Sequence, residues 1–197
     1  MGDATNIIVG TAGKAYRAEV GATFPTGPEE PWGTGWSDMG FVTPDGLEEA
    51  LAEERTQLDA WGEDAPVVDL AKKRTQTFKL TFRETNAYNL SLFYQVKLAS
   101  MTSTPAVTSG TTRKQFISFG SGSLSDTVEI ALGLDVIMSG KRHRIMIART
   151  GVSDRESVKH NGDDSSNYGL TFTALAAPGG AQSVQHFITD VTLPEAS

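Results

Sequence analysis

From Thr75 onward the chain alternates apolar and polar residues with period two, and that rhythm limits the available folds more than any other feature. Successive side chains of a strand point to opposite faces, so such alternation marks a strand with one buried face. In "QTFKLTFRE", Phe78, Leu80 and Phe82 point one way while Thr77, Lys79, Thr81 and Arg83 point the other. "DTVEIALGLDV" places Val128, Ile130, Leu132 and Leu134 on one face, and "KRHRIMIART" sets Ile145 and Ile147 against Arg144 and Met146. "NYGLTFTALA" sets Leu170 and Phe172 against Thr171 and Thr173, and "SVQHFITDV" sets Phe187, Thr189 and Val191 against His186 and Ile188. An earlier run, "GKAYRAEVG" (13–21), reads as a first strand. Between these runs lie "TSGTT", "GSGSLSD", "MSGK", "KHNGDDSSN" and "APGGAQS", all rich in turn formers. Many short strands joined by polar turns predict a β-sandwich or barrel.

Two segments break the rhythm. "ETNAYNLSLFYQVKLAS" offers Asn86 as an N-cap, followed by Leu90, Phe93, Tyr94 and Lys97 on one side of a helix. The run from Trp32 to Asp64 holds all three tryptophans of the chain, many carboxylates and a single base, Arg55. Within it Leu47, Ala50, Leu51, Glu54, Leu58 and Trp61 fall at helical spacing, and local propensity predicts a helix.

Charge is unevenly spread along the 197 residues. Residues 1–71 carry fourteen acids against three bases, or −11, and residues 72–197 carry ten acids against fourteen bases, or +4. The total of −7, with scattered bases, disfavours a groove that grips nucleic acid. A solvated acidic surface accounts for the asymmetry, and so does a head-to-tail assembly in which unlike parts of neighbouring copies meet. There is no cysteine, which removes disulfides, thiolate metal sites and cysteine nucleophiles together. "MGDATNIIVG" lacks the pattern of a signal peptide, and no apolar segment approaches the ~20 residues needed to span a membrane.

Motifs that would carry chemistry fail on inspection. "GTAGK" (10–14) has Ile8 where a phosphate loop needs its first glycine, and Ala15 where it needs Ser or Thr. "DDSSNYG" (163–169) has oxygen side chains at Asp163, Ser165 and Asn167. It nevertheless places Tyr168 at the glycine position of a calcium loop and Ala174 at the closing Glu. His143, His160 and His186 are far apart, with no partner at metal-ligand spacing, and Ser121 lacks the context of a nucleophile elbow. No pocket is evident that would split the pKa values of two carboxylates for glycoside hydrolysis. The expectation is a protein that is not an enzyme and carries no cofactor or metal.

Several stretches in order resemble the major tail tube proteins of long-tailed, siphovirus-type bacteriophages. They are "GWSDMGFVTPDGLEE", "LDAWGEDAPVVDLAKKRTQTFKLTFRETNAYNLSLFY" and "KRHRIMIARTGVSDRESVKHNGDDSSNYGLTFTALA", with "DATNIIVGTAGKAYRAEVG" similar to the family's opening strand. The features that carry the likeness are the Asp45–Gly46 turn, the Ala60–Trp61–Gly62 run, the "ETN" of Glu84 to Asn86 before the helix, and the late strand pair. The resemblance implies one tail-tube domain over 1–197, mostly β: a sandwich or barrel with one flanking helix and a long extended arm between early strands. Residues 25–75 match that arm in position, which would make 47–61 extended, and here the family pattern is preferred to local propensity.

The resemblance also implies hexameric rings stacked into a tube around a tape-measure protein. Tail terminator and distal tail proteins would be further partners. DNA would cross the lumen without specific binding, and the product would reside in the virion tail after assembly in the host cytoplasm. On this view the arm buries its aromatic and aliphatic residues on the next ring while its carboxylates meet a neighbour's bases. The assembly residues would be Trp32, Trp36, Phe41, Asp45, Leu47, Glu48, Leu51, Glu54, Leu58 and Trp61, with Lys72, Lys73, Arg74, Arg142 or Arg144 of a neighbour as the basic complement. The alternative is a β-sandwich carbohydrate-binding or virion decoration module that uses Trp32, Trp36 and Trp61 as a sugar platform.

Overall fold

Alternation becomes strand wherever it was regular. The computed structural model describes residues 9–62, 64–104, 107–108, 111–112, 116–122, 127–138, 141–162 and 165–189. Strands β1 (Gly10–Ala18), β2 (Ser37–Asp38), β3 (Glu48–Leu58) and β4 (Val68–Phe82) precede helix α1 (Ala87–Tyr94). The short strands β5 (Thr102–Thr104), β6 (Val107–Thr108), β7 (Thr111–Thr112) and β8 (Phe116–Ser118) make two small pairs, β5 with β8 and β6 with β7. Strands β9 (Glu129–Met138), β10 (Lys141–Arg155), β11 (Tyr168–Ala174) and β12 (Val184–Ile188) complete the chain. Val191 and Asp163, named above, lie outside the described residues.

An eight-stranded antiparallel sheet runs β2-β1-β9-β10-β11-β4-β3, with β12 paired to β10 beside it. The fold is thus mostly β with one α-helix among the described residues. Strand β10 organises it. One edge pairs with β9, whereas the other pairs first with β12 (His143 to Ile147) and then with β11 (Thr150 to Arg155). Register shifts between Ile147 and Thr150, and again between Val152 and Asp154, bend the strand where it changes partner. The sheet curls around Phe78, Leu80, Phe82, Ile130, Leu132, Leu134, Ile145, Ile147, Leu170 and Phe172, all buried.

Helix α1 begins where its N-cap dictates. Asn86 is extended and its side chain accepts from the Asn89 N–H at 2.9 Å. The helix ends earlier than its pattern predicted, because Gln95 adopts φ 54° and donates its N–H to the Ser91 carbonyl. Lys97 therefore lies beyond the helix; Asn89, Ser91 and Leu92 are buried, and Leu90 and Phe93 of the expected stripe pack against the core.

Candidate assembly surface

Within the segment 47–61, helical by local propensity, Glu48–Leu58 is strand β3. Its partner decides this: β3 pairs with β4 from Glu48↔Lys79 to Leu58↔Val68, and ladder bonds outweigh propensities worth tenths of a kcal/mol per residue. Beyond Glu49 and Phe78 the hairpin leaves the body, and residues 57–74 are exposed wherever they are described.

Register assigns each hairpin side chain to a face, since residues directly opposite share one. The pairing slips between Glu54↔Lys73 and Arg55↔Ala71, leaving Lys72 as the extra residue of a bulge. The inward face, continuous with Phe78, Leu80 and Phe82, carries Leu51, Glu53, Arg55 and Gln57 on β3, and Gln76, Arg74, Ala71 and Asp69 on β4. The outward face, continuous with Thr77, Lys79 and Thr81, carries Ala50, Ala52, Glu54, Thr56 and Leu58, and opposite them Thr75, Lys73, Leu70 and Val68. The polarity therefore inverts. In the body the inward face is apolar, whereas in the arm it is mostly polar and the outward face is mostly apolar.

An ion-pair network occupies the inward face of the arm. Arg55 Nε donates to both carboxylate oxygens of Asp69, at 3.1 and 3.0 Å, and Arg55 Nη1 reaches Glu53 at 3.1 Å. Arg74 Nε donates to Glu53 at 2.7 Å. The Arg74 hydrogen bond and charge, then those of Arg55, hold the Glu53 carboxyl below the ordinary range. This changes the role expected of the basic band: Arg74 serves its own arm, and Lys73 lies 3.9 Å from Glu54. Adjacent strands place these opposite charges side by side, a proximity that linear sequence does not display. Lys72, Asp59 and Asp64 have no ion partner among the described residues. Glu48 is exposed opposite Lys79.

The tryptophans separate into two groups. Trp32 and Trp36, expected on a neighbour, are seated on their own subunit. Trp32 stacks on Tyr16 with centroids 5.0 Å apart and meets Trp36 at 4.6 Å, while Phe24 flanks Trp36 at 5.1 Å. The Trp32 indole N–H donates to Asp135 at 2.9 Å, and the Arg144 guanidinium lies 4.6 Å from its ring. Gly133 makes the close approach possible, because a Cβ there would collide with the Trp32 ring. Residues 25–38 thus cover the outer side of β1, β9 and β10. Trp61 alone, fully exposed in the β3–β4 connection, remains available, so the three rings do not assemble one sugar platform.

Phe41, Asp45 and Leu47 line an open groove of about 720 Å³ whose floor includes Leu80, Leu134 and Ile145. Leu47 packs against the core of its own subunit, contrary to its expected place on a neighbour, while Phe41 is 76% exposed. Asp45 sits in the turn closed by Gly46 N–H to the Thr43 carbonyl, where φ is +76° at Gly46.

Two histidines dismissed for their spacing come together. His143 Nε2 and His186 Nδ1 are 3.0 Å apart, because β10 and β12 pair at this point. On its other side His186 Nε2 lies 3.8 Å from Glu49 and 3.5 Å from Gln76 Nε2, at the root of the arm. Burial, then the neighbouring His186, lowers the pKa of His143, opposed by Glu49. Alternation at His143 and His186 was a signal for strands, but only the β10–β12 register brings them together. Among the described residues no group of three or more His, Asp or Glu could hold a metal, and no helix is long and apolar enough to cross a membrane.

The family model for phage tail tube protein matches residues 1–197. No curated protein matches the chain. Among solved structures, a cryo-EM structure of the anti-feeding prophage (AFP) baseplate, six-fold symmetrised, is similar at TM-score 0.41 and 9% identity. It covers 93% of this chain and 97% of that one.

Proposed function

Because this chain belongs to the phage tail tube protein family, a family of structural virion proteins of the tail, we propose that it self-assembles into hexameric rings that stack into the tube through which DNA leaves the capsid. The observation that carries this reading is the exposed arm. Leu58, Leu70 and Trp61 are 49%, 51% and 105% exposed on a hairpin that its own body does not cover. Burying a Leu of this kind on a neighbour is worth roughly 1.5–3 kcal/mol, so repeated contacts around a ring accumulate a large association energy. The net charge of −7 suits a wall that DNA passes without adhering. Among the described residues strand β3 also leaves one long edge unpaired, an edge that a neighbouring sheet can continue. Tape-measure, terminator and distal tail proteins are the partners such a tube needs, and host cytoplasm is where it would be built.

The arm can be excised without touching the core. Ala52 and Thr75 are paired across the hairpin, so replacing residues 53–74 with Asn-Gly closes a short hairpin at that level. The body should fold and the tubes seen for the intact chain should be absent by electron microscopy. Normal tubes from the excised variant would refute the role of the arm.

A further inference from the structure

We infer that the arm docks on a second copy of this chain through its outward face alone, and that its inward ion-paired face stays in water. This rests on the tube-forming reading and adds which surface is covered and by what. Polarity inverts between the body and the arm. Leu58, Val68 and Leu70 lie on the face continuous with Thr77, Lys79 and Thr81, on the side of the sheet away from the core, so the subunit's own core-facing surface cannot reach them. Ala50, Ala52, Thr56 and Thr75 extend that face toward the root, with the exposed Glu54 and Lys73 standing among them.

Charge identifies the occupant. From Thr56 to Ala71 the hairpin carries Asp59, Glu63, Asp64 and Asp69 and no base, a net −4. Directly behind it come Lys72 at the bulge and Lys73 on the outward face, the latter 64% exposed and only loosely held by Glu54. Charges along the root balance one another, but Asp59 and Asp64 at the tip and Lys72 at the bulge have no ion partner among the described residues, and these opposite charges are complementary between copies laid tip to root, which a like-oriented repeat can propagate. The inward face offers no such demand. Arg55, Asp69, Glu53 and Arg74 satisfy one another within the arm, and moving them from water into an interface would cost desolvation with no new partner.

The absence of cysteine makes the test clean. Single variants Leu58→Cys and Leu70→Cys report the outward face; Gln57→Cys, one residue away on the inward face, reports the other. Each full-length variant carries a small polarity-sensitive fluorophore and is followed, with iodide quenching, from dilute protein to assembled particles. The proposal expects a blue shift and at least a several-fold drop in quenching at positions 58 and 70 on assembly, with position 57 remaining quenchable. Protection at 57 with 58 and 70 still exposed, or equal protection of all three, overturns the face assignment while leaving the tube standing. If unlabelled intact chain forms no particles at any concentration, the tube reading itself fails and the docking falls with it. Leu70→Ser with unchanged thermal melting should also assemble several-fold less readily; assembly equal to the intact chain counts against the proposal.

Discussion

Arg144 and Asp135 face each other across β10 and β9 in a two-bonded ion pair, with Nε to Oδ1 at 2.7 Å and Nη2 to Oδ2 at 3.0 Å. Both are buried, and each makes further hydrogen bonds. Arg144 Nη1 donates to the carbonyls of Gly27 and Glu30, and Asp135 also accepts from Trp32. The pair ties the segment 25–38 to the outer side of the sheet and holds Trp32 against its own subunit.

Removing one partner leaves a buried charge uncompensated, at a cost of roughly 3–5 kcal/mol. Arg144→Ala should lower the urea midpoint accordingly. Arg144→Lys should not restore it, because an ammonium cannot reproduce the planar two-bonded fork and reach two further carbonyls. Near-native stability for the lysine variant would contradict the assigned geometry.

Gly133→Ala pushes a methyl into the Trp32 ring. Overpacking of this kind costs about 1–3 kcal/mol, and the indole has to leave its hydrogen bond with Asp135. The variant should show red-shifted tryptophan emission and a lowered melting temperature, with the Trp61 contribution removed by Trp61→Phe in both proteins.

Asn86→Ala tests the helix start. It deletes the cap on Asn89 N–H and the 3.1 Å bond from Asn86 Nδ2 to the Met39 carbonyl. An N-cap alone is worth about 1 kcal/mol, so the loss in urea denaturation should be at least that. Asp at this position restores the cap but not the donor to Met39, and should recover part of it.

The histidine pair makes a prediction about pH. His143 has its pKa lowered by burial first and His186 second, so the unfolded chain takes up the proton before the folded one. Stability from this site is complete above the ordinary histidine value of about 6.5 and is lost as pH falls from there through the lower folded value. Glu30, Glu53 and Glu129, also lowered, add their loss only below the carboxylate range near 4.5. His143→Gln should flatten the slope of stability against pH just below 6.5 and leave the acid limb unchanged. An unaltered slope would show that His143 does not titrate as described.

Much of the body was legible in the sequence, because a half-buried strand writes its inward face at every second position. Phe78, Leu80 and Phe82, and likewise Leu170 and Phe172, are buried as alternation demands. Reading failed where strands are covered on both sides. Arg144 and Met146 looked solvent-facing but are buried, since residues 25–38 lie over that surface. It failed again in the arm, where Leu47, Leu51, Leu58 and Trp61 mimic helical spacing because β3 has polar and apolar residues on both faces and follows no period of two. Family resemblance supplied the extended conformation there; local propensity did not. The His143–His186 contact and the Glu53–Arg74 pair depend on register, which alternation leaves open. The assignment of Trp32 and Trp36 to a neighbour rested on tryptophan's enrichment at interfaces, and an internal arginine was not anticipated as their partner.

The central claim is that this chain builds a tube from itself. Negative-stain electron microscopy of the purified full-length protein, concentrated without other tail components, tests it most directly. Rings with six-fold symmetry and short stacks of them are expected, lost in the variant lacking residues 53–74. A monodisperse monomer at every concentration would contradict it.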